Sequence, residues 1–238
     1  MRTGTPPQRG EFDREIPFKG TLGDEVEEEE FVKTIASCRV VILDRSTNTY
    51  HRLESNLEAG LVKILLARHD TLAIKGQDGP YSVIVEGKTI LHIVDVRRTA
   101  VGGAITYFVV KAEGSTARAT AGLVKLLNNQ LPKNSGDRFV LVTNRDITKG
   151  RVNAAENILH TREVRNNSET SRVHDALLEH GGRAKVWHLA QLLPDLPMAN
   201  IWTAVWDLID RQLAIFDHPT PENVIMSEGS WIGAISKD

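Results

Sequence analysis

Three ionisable residues sit where ionised groups are costly. Asp95 and Lys111 interrupt the apolar runs HIVDV and FVVK, and between those runs lies TAVGGA, a tight-turn signal. Burying such groups costs several kcal/mol unless something compensates them. Glu58 lies three residues before Leu61 and seven before Leu65 in ESNLEAGLVKILLARHD. That spacing puts it at the border of an apolar helix face that must pack on a sheet. Strand alternation sets Asp95 on one face with Ile93, and Lys111 on one face with Val109 and Glu113. If those faces coincide, Glu58, Asp95 and Lys111 converge near one end of a hairpin. Two carboxylates and a lysine at a partly buried site suit phosphodiester hydrolysis. The acids hold a hard divalent cation through oxygen, and the lysine orients the nucleophile or offsets developing charge. The alternative is a cross-strand ion pair of Asp95 with Lys111, leaving Glu58 solvated.

The flanking elements follow from periodicity. CRVVILD reads as a strand and RSTNT as a turn, and Leu57, Leu61, Ile64 and Leu65 mark one face of a helix that Ser55 or Asn56 can cap. YSVIVEG, KTILHIVDVRR and ITYFVVKAE form an antiparallel meander joined by Gly-containing turns. STARATAGLVKLLNNQLP is a helix with Ser115 as its cap and Pro132 closing it, DRFVLVTNRD a strand, and NAAENILHTRE a short helix. The order predicts an α/β core with a mixed sheet. The polar stretch RNNSET, residues 165–170, marks a boundary. Beyond it, three helix candidates and a hairpin-like tail give the winged helix-turn-helix pattern. The expected division is an acidic disordered leader over 1–30, an α/β domain over 31–165 and a winged-helix-like domain over 166–238.

Composition narrows the classes. A chain with 41% hydrophobic and 25% charged residues has the profile of a globular protein with a real core. No apolar run approaches the roughly 20 residues that span a bilayer, and the opening lacks a signal-peptide pattern, so a cytoplasmic, membrane-free protein is expected. The single cysteine, Cys38, excludes an internal disulfide and a Cys-based zinc cluster. The net charge of −2 is uneven: residues 1–30 carry nine acidic and four basic side chains, which leaves the remainder at +3 and compatible with DNA contact. The eight histidines show no metal-helix spacing, His174 and His180 being six apart; His92, on the strand face opposite Asp95, is given no role. In MANIWTAVWDLIDRQ, Ile201, Val205, Leu208 and Ile209 are expected to be buried, with Asn200, Thr203, Asp207, Asp210 and Arg211 presented to solvent. Two exposed aspartates would repel phosphate, which favours a protein-contact role for this helix, and Trp187, Trp202 and Trp206 read as core or protein-contact residues.

The ordered set of helix with Glu, strand with Asp, strand ending in a lysine, helix and strand resembles the restriction-endonuclease-like core of the PD-(D/E)xK nucleases. YHRLESNLEAGLVKILLARHD, then Gln77, HIVDV, FVVK and the winged-helix-like segment, resembles the TnsA family of transposon-encoded endonucleases over roughly residues 40–235. The resemblance implies Glu58 and Asp95 as metal ligands and Lys111 as catalytic lysine, with the Val109 or Val110 backbone carbonyl completing the ligand set for Mg²⁺ or Mn²⁺. It offers Glu54, Gln77 and Glu113 as helpers, and Arg97, Arg98, Arg118 and Lys125 read as DNA contacts. It further implies a bacterial endonuclease that cuts the 5′ ends of a transposon in double-stranded DNA, beside a DDE-type transposase and an AAA+ regulator. Two positions depart from the pattern: Val94 stands where the family has Pro, and Val109 where it has an acidic residue or Gln. Val109 favours the alternative of a catalytically degenerate subunit that binds DNA or bridges the transposase and its regulator; a defence or repair nuclease of the same fold is a third alternative.

Overall fold

The computed structural model describes residues 39–85, 87–132 and 135–235. The expected acidic leader over 1–30 and Cys38 lie outside them. The chain is mixed α/β and divides into two compact units, Met1–Ile147 and Thr148–Asp238.

In the first unit, β1 (Val40–Asp44) and β2 (Thr49–Leu53) form an antiparallel hairpin. Asp44 closes its turn, accepting hydrogen bonds from Ser46 Oγ at 2.6 Å and Thr47 Oγ1 at 2.7 Å. Helix α1 (Asn56–Ala67) packs against both strands and against the next two. The main sheet has the order β3 (Thr71–Val85), β4 (Lys88–Ala100), β5 (Ile105–Val110), β6 (Arg138–Val142). The first two pairings are antiparallel and β5–β6 is parallel, because helix α2 (Ser115–Gln130) carries the chain from β5 to β6. The expected Ser115 cap is instead the first helical residue, and Gly114 occupies the cap with no side-chain bond. Val83, Val94, Tyr107, Val109, Val124, Leu127 and Phe139 form one core of this unit, with Tyr107 and Phe139 stacked at a centroid distance of 4.5 Å.

The second unit begins earlier than the expected boundary at 165. Helix α3 (Lys149–Val164) belongs to it, and α4 (Asn167–Glu179) follows almost at once. Strand β7 (Arg183–Lys185), α5 (Val186–Leu192), α6 (Met198–Asp210), β8 (Ala214–Phe216), a 3-10 turn over Pro221–Asn223 and β9 (Trp231–Ala234) complete it. The three strands are antiparallel in the order β7-β9-β8.

Helix α6 is the centre of this unit: α3, α4 and α5 all pack on it, and Ile201, Val205, Trp206 and Leu208 are core. The expectation that Asp207 and Asp210 face solvent is corrected; they are 0% and 4% exposed. Asp210 takes a bidentate bond from Arg162 of α3 at 2.7 and 2.8 Å. Asp207 accepts from Thr170 Oγ1 at 2.9 Å and pairs with Arg165 at 3.2 Å and Arg211 at 2.7 Å. Carboxylates so paired escape the penalty of an isolated buried charge. Trp202 and Trp206 pack in the core, as expected, whereas Trp187 stays exposed. Among the described residues no helix is long and apolar enough to cross a membrane.

Candidate active site

Helix α1 begins with a reciprocal cap. Ser55, extended at φ −147°, accepts the Glu58 N–H on Oγ at 3.1 Å and donates its hydroxyl to Glu58 Oε1 at 2.8 Å. Glu58 Oε2 accepts the Glu54 N–H at 3.0 Å. This is a variant of the capping box Ser-x-x-Glu: the Ser55 hydroxyl satisfies the Glu58 N–H of the first turn, while the Glu58 side chain reaches back to the N–H of Glu54, one residue before the cap. It also turns the Glu58 carboxylate inward, so that the residue is only 7% exposed. Burial pushes the Glu58 carboxyl up from its ordinary value. The bonds from Glu54 and Ser55 oppose the shift, and the charge of Asp95 adds to it.

Asp95 sits where two strands part. The β4–β5 pairing runs from Thr99↔Ile105 to Val96↔Phe108. One step further, Asp95 Oδ2 takes the Val110 N–H at 2.6 Å, so a side chain replaces the backbone partner. Lys111 follows β5, its N–H bonded to Val142 O at 3.1 Å and its Nζ 3.7 Å from Asp95 Oδ2. The lysine side chain is 34% exposed and the aspartate 14%, so the pair lines an opening rather than the deep core. Gln77, in the left-handed region at φ 48°, falls between the pairs Gly76↔Val96 and Asp78↔Val94, opposite Asp95, with its side chain exposed.

Lys111 and Asp95 thus form an ion pair, while Glu58 is buried at the start of α1 with its carboxylate bonded to Ser55 and the Glu54 N–H. No protein-family model matches the chain, and no curated protein matches it. The reading of the site therefore stands on geometry. Among the described residues no cluster of three or more His, Cys, Asp or Glu side chains has metal-binding geometry. The groups that could hold a hard cation are the carboxylates of Glu58 and Asp95 with a main-chain carbonyl at Val109 or Val110. This set suits the ion chemically, since two carboxylates and one ammonium leave a net negative charge, and a cation of this kind accepts carboxylate, carbonyl and water oxygens together. The Val109 side chain is fully buried in the core, so it offers only its main chain.

The remaining candidates divide. Glu54 is exposed beside the site and adds to the repulsion felt by Glu58. Glu113 is drawn away: its carboxylate is salt-bridged to Arg145, and its N–H donates to Asn144 Oδ1 at 2.8 Å. Arg98 cannot serve as a DNA contact in this arrangement. It is buried, with guanidinium bonds to Thr71 Oγ1 at 2.9 Å and to Asp70 O at 2.8 Å, and it pairs with the Asp70 carboxylate. Arg97 is half-buried with one nitrogen 3.7 Å from Asp78. Arg118 and Lys125 are exposed on α2. His92, given no role from its spacing, lies in the field of both Asp95 and Lys111.

Residues 31–147 hold sixteen basic and ten acidic side chains, which the nine acidic and four basic side chains of residues 1–30 nearly balance, whereas residues 148–238 hold nine basic and twelve acidic. The local excess of positive charge over residues 31–147 surrounds Asp95, and residues 148–238 are net acidic.

Proposed function

We propose that the first unit is a metal-dependent DNA endonuclease of the restriction-endonuclease-like kind, similar to the TnsA family, and that the second is a winged-helix-like module that contacts protein. The observation that supports the reading is the 3.7 Å approach of Lys111 to Asp95 where the β4–β5 pairing ends, with Glu58 buried at the start of the helix that packs on β4. In chemical terms, Glu58 and Asp95 would hold Mg²⁺ or Mn²⁺, and Lys111 would orient the attacking water and offset charge on the phosphoryl oxygens. When bound there, the ion would acidify water and polarise the phosphoryl oxygens. In the setting the resemblance implies, the chain would make the 5′ cuts at transposon ends in double-stranded DNA, beside a DDE-type transposase and an AAA+ regulator.

The order helix, strand, helix, helix, strand, strand from α4 to β9 supports the winged-helix reading. A helix that reads a groove needs an open face. Helix α6 has neighbours in α3, α4 and α5, and the unit around it is net acidic, which favours protein over DNA as its partner.

A second reading, a catalytically silent bridging subunit, is favoured by one observation. Val109 supplies no polar side chain, while Asp95 Oδ2 is already engaged by Val110 N–H and by Lys111. The deciding experiment is cleavage of DNA carrying the element ends, by the full chain with its transposase. Cutting that requires Mg²⁺ or Mn²⁺ and disappears in Asp95→Ala supports the nuclease. Metal-independent cutting, or cutting that survives Asp95→Ala, refutes the assignment, and failure of the wild type to cut with the partner present promotes the bridging subunit.

A further inference from the structure

In the second unit, α4 and the end of α5 enclose a groove of about 330 Å³. That volume lies near the lower end of the roughly 300–1,000 Å³ typical of ligand sites. Its apolar lining is Ala176 of α4 with Leu192 and Leu193 at the end of α5. Its charged lining comes from Arg172, Asp175 and Glu179. Spaced at three and four residues along α4, these side chains share the helix face that Ala176 also occupies, while Val173 and Leu177 turn into the core.

The charges along this face are unbalanced. Asp175 and Glu179 are both exposed, one turn apart, and among the described residues neither carboxylate has a hydrogen-bond or ion-pair partner. Arg172, the nearest cation in sequence, is spent elsewhere: its Nη2 donates to Asp195 Oδ1 at 2.8 Å, which ties α4 to the segment after α5. Like charges at i and i+4 repel, and the last turn of a helix favours cations over anions. Helix α4 ends at Glu179 and has no basic residue in that turn. The two carboxylates are thus unfavourable to the free helix on both counts, and one positive charge seated between them relieves both.

We infer that this groove docks a basic segment of a partner protein, an arginine or lysine of which lays its aliphatic stem on Ala176, Leu192 and Leu193 and sets its charged head between Asp175 and Glu179. The inference rests on the protein-contact reading of the second unit proposed above and names the chemistry of that partner. A side chain with an apolar stem and a cationic head matches both parts of the lining. The surroundings reinforce the attraction, since residues 148–238 hold nine basic and twelve acidic side chains. A nucleic acid would meet the unpaired carboxylates and be repelled. A hard divalent ion would find only two carboxylates and gain nothing from the leucines.

The test uses the full chain and two fluorescein-labelled probes, a short peptide of alternating arginine and leucine and one of alternating glutamate and leucine. Binding is followed by fluorescence anisotropy and by the methyl NMR signals of Leu192 and Leu193. The basic peptide is expected to bind and to move both leucines' signals, and the acidic peptide to do neither. Asp175→Asn with Glu179→Gln, which keeps the side-chain shapes, should weaken binding about tenfold, and Asp175→Lys with Glu179→Lys should weaken it further. Neither double variant is expected to lower the urea midpoint, because both carboxylates are exposed and unpaired; this separates a lost contact from a lost fold. Absence of binding, binding that survives both double variants, or binding that leaves Leu192 and Leu193 unmoved would overturn the groove and leave the protein-contact reading intact. Second-unit signals that move with a short DNA duplex and not with the basic peptide would bring down both.

Discussion

Glu58 and Ser55 cap the start of α1 for one another, the Ser55 Oγ accepting from Glu58 N–H and donating to Glu58 Oε1. The residue read as a metal ligand is therefore also a structural cap, and the two roles respond differently to substitution. Ser55→Ala removes the acceptor for one helix-start donor and one donor to the carboxylate. It should cost about 1 kcal/mol in urea unfolding, within the usual range for a lost cap. The same variant should lower cleavage more than it lowers stability, because the carboxylate loses one of the two bonds that orient it.

Glu58 also sets a pH dependence of known sign. Burial and the Asp95 charge raise its folded-state value above the unfolded one, so folding favours the protonated form. Its contribution to stability is complete below the unfolded value, about 4.3, and is lost as pH rises through the raised folded value. Glu58→Gln, which cannot ionise, should gain in stability relative to wild type between pH 4 and pH 8, to be read as the difference in urea midpoints at the two ends. A difference that shrinks over that range would contradict the burial of this carboxylate.

Lys111 should separate activity from stability. Its ion pair with Asp95 at 3.7 Å lies at the mouth of the site, and an ion pair this exposed is worth at most about 1 kcal/mol. Lys111→Ala should therefore unfold within about that margin of wild type. On the nuclease reading it should also lose cleavage by roughly 100-fold or more, the cost of removing an electrostatic group aimed at the reacting centre.

The Arg162–Asp210 pair should behave in the opposite way. Asp210 is buried and held by two guanidinium bonds from α3. Arg162→Ala should destabilise the second unit by about 3–5 kcal/mol, and the double replacement Arg162→Met with Asp210→Leu should recover most of that loss. Urea unfolding followed by the Trp202 and Trp206 fluorescence reads this directly.

What was legible in the sequence was local or periodic. Alternation brings Lys111 to Asp95 only if their strand faces coincide, and the α1 period puts Glu58 at the border of the buried face. The Ser-x-x-Glu spacing is equally present in ESNLE, and it makes Glu58 a partner of the Ser55 cap as well as a candidate ligand. Strand β3 reaches back to Thr71 through KGQDGP, because Gln77, Gly79 and Pro80 make an irregularity inside the strand where they read as its end. Helix α3 starts at Lys149, ahead of the periodic run, capped by Thr148. Gly150 in its first turn allows the 3-10 turn to come close, since a Cβ there would meet Glu222 O at 2.6 Å. A helical wheel assigns Asp207 and Asp210 to solvent, because their partners Arg165 and Arg162 lie more than forty residues earlier in the chain. Neither could periodicity show that the β4–β5 pairing ends at Val96↔Phe108, where the Asp95 side chain takes over the Val110 N–H.

Arg118 and Lys125 offer a test of where DNA lies. Seven residues apart, they share one face of α2 and both are exposed, in the unit with the excess of basic side chains. If each neutralises one phosphate, replacing both with Ala should weaken binding of a duplex in fluorescence anisotropy. It should also reduce the slope of log K against log salt by about 1.8. Arg98→Ala supplies the contrast. Its guanidinium is spent on Asp70 and Thr71, so its loss should lower stability through broken buried hydrogen bonds while leaving the salt slope unchanged. A slope that falls for Arg98→Ala and holds for the α2 pair would move the DNA to the other side of the unit.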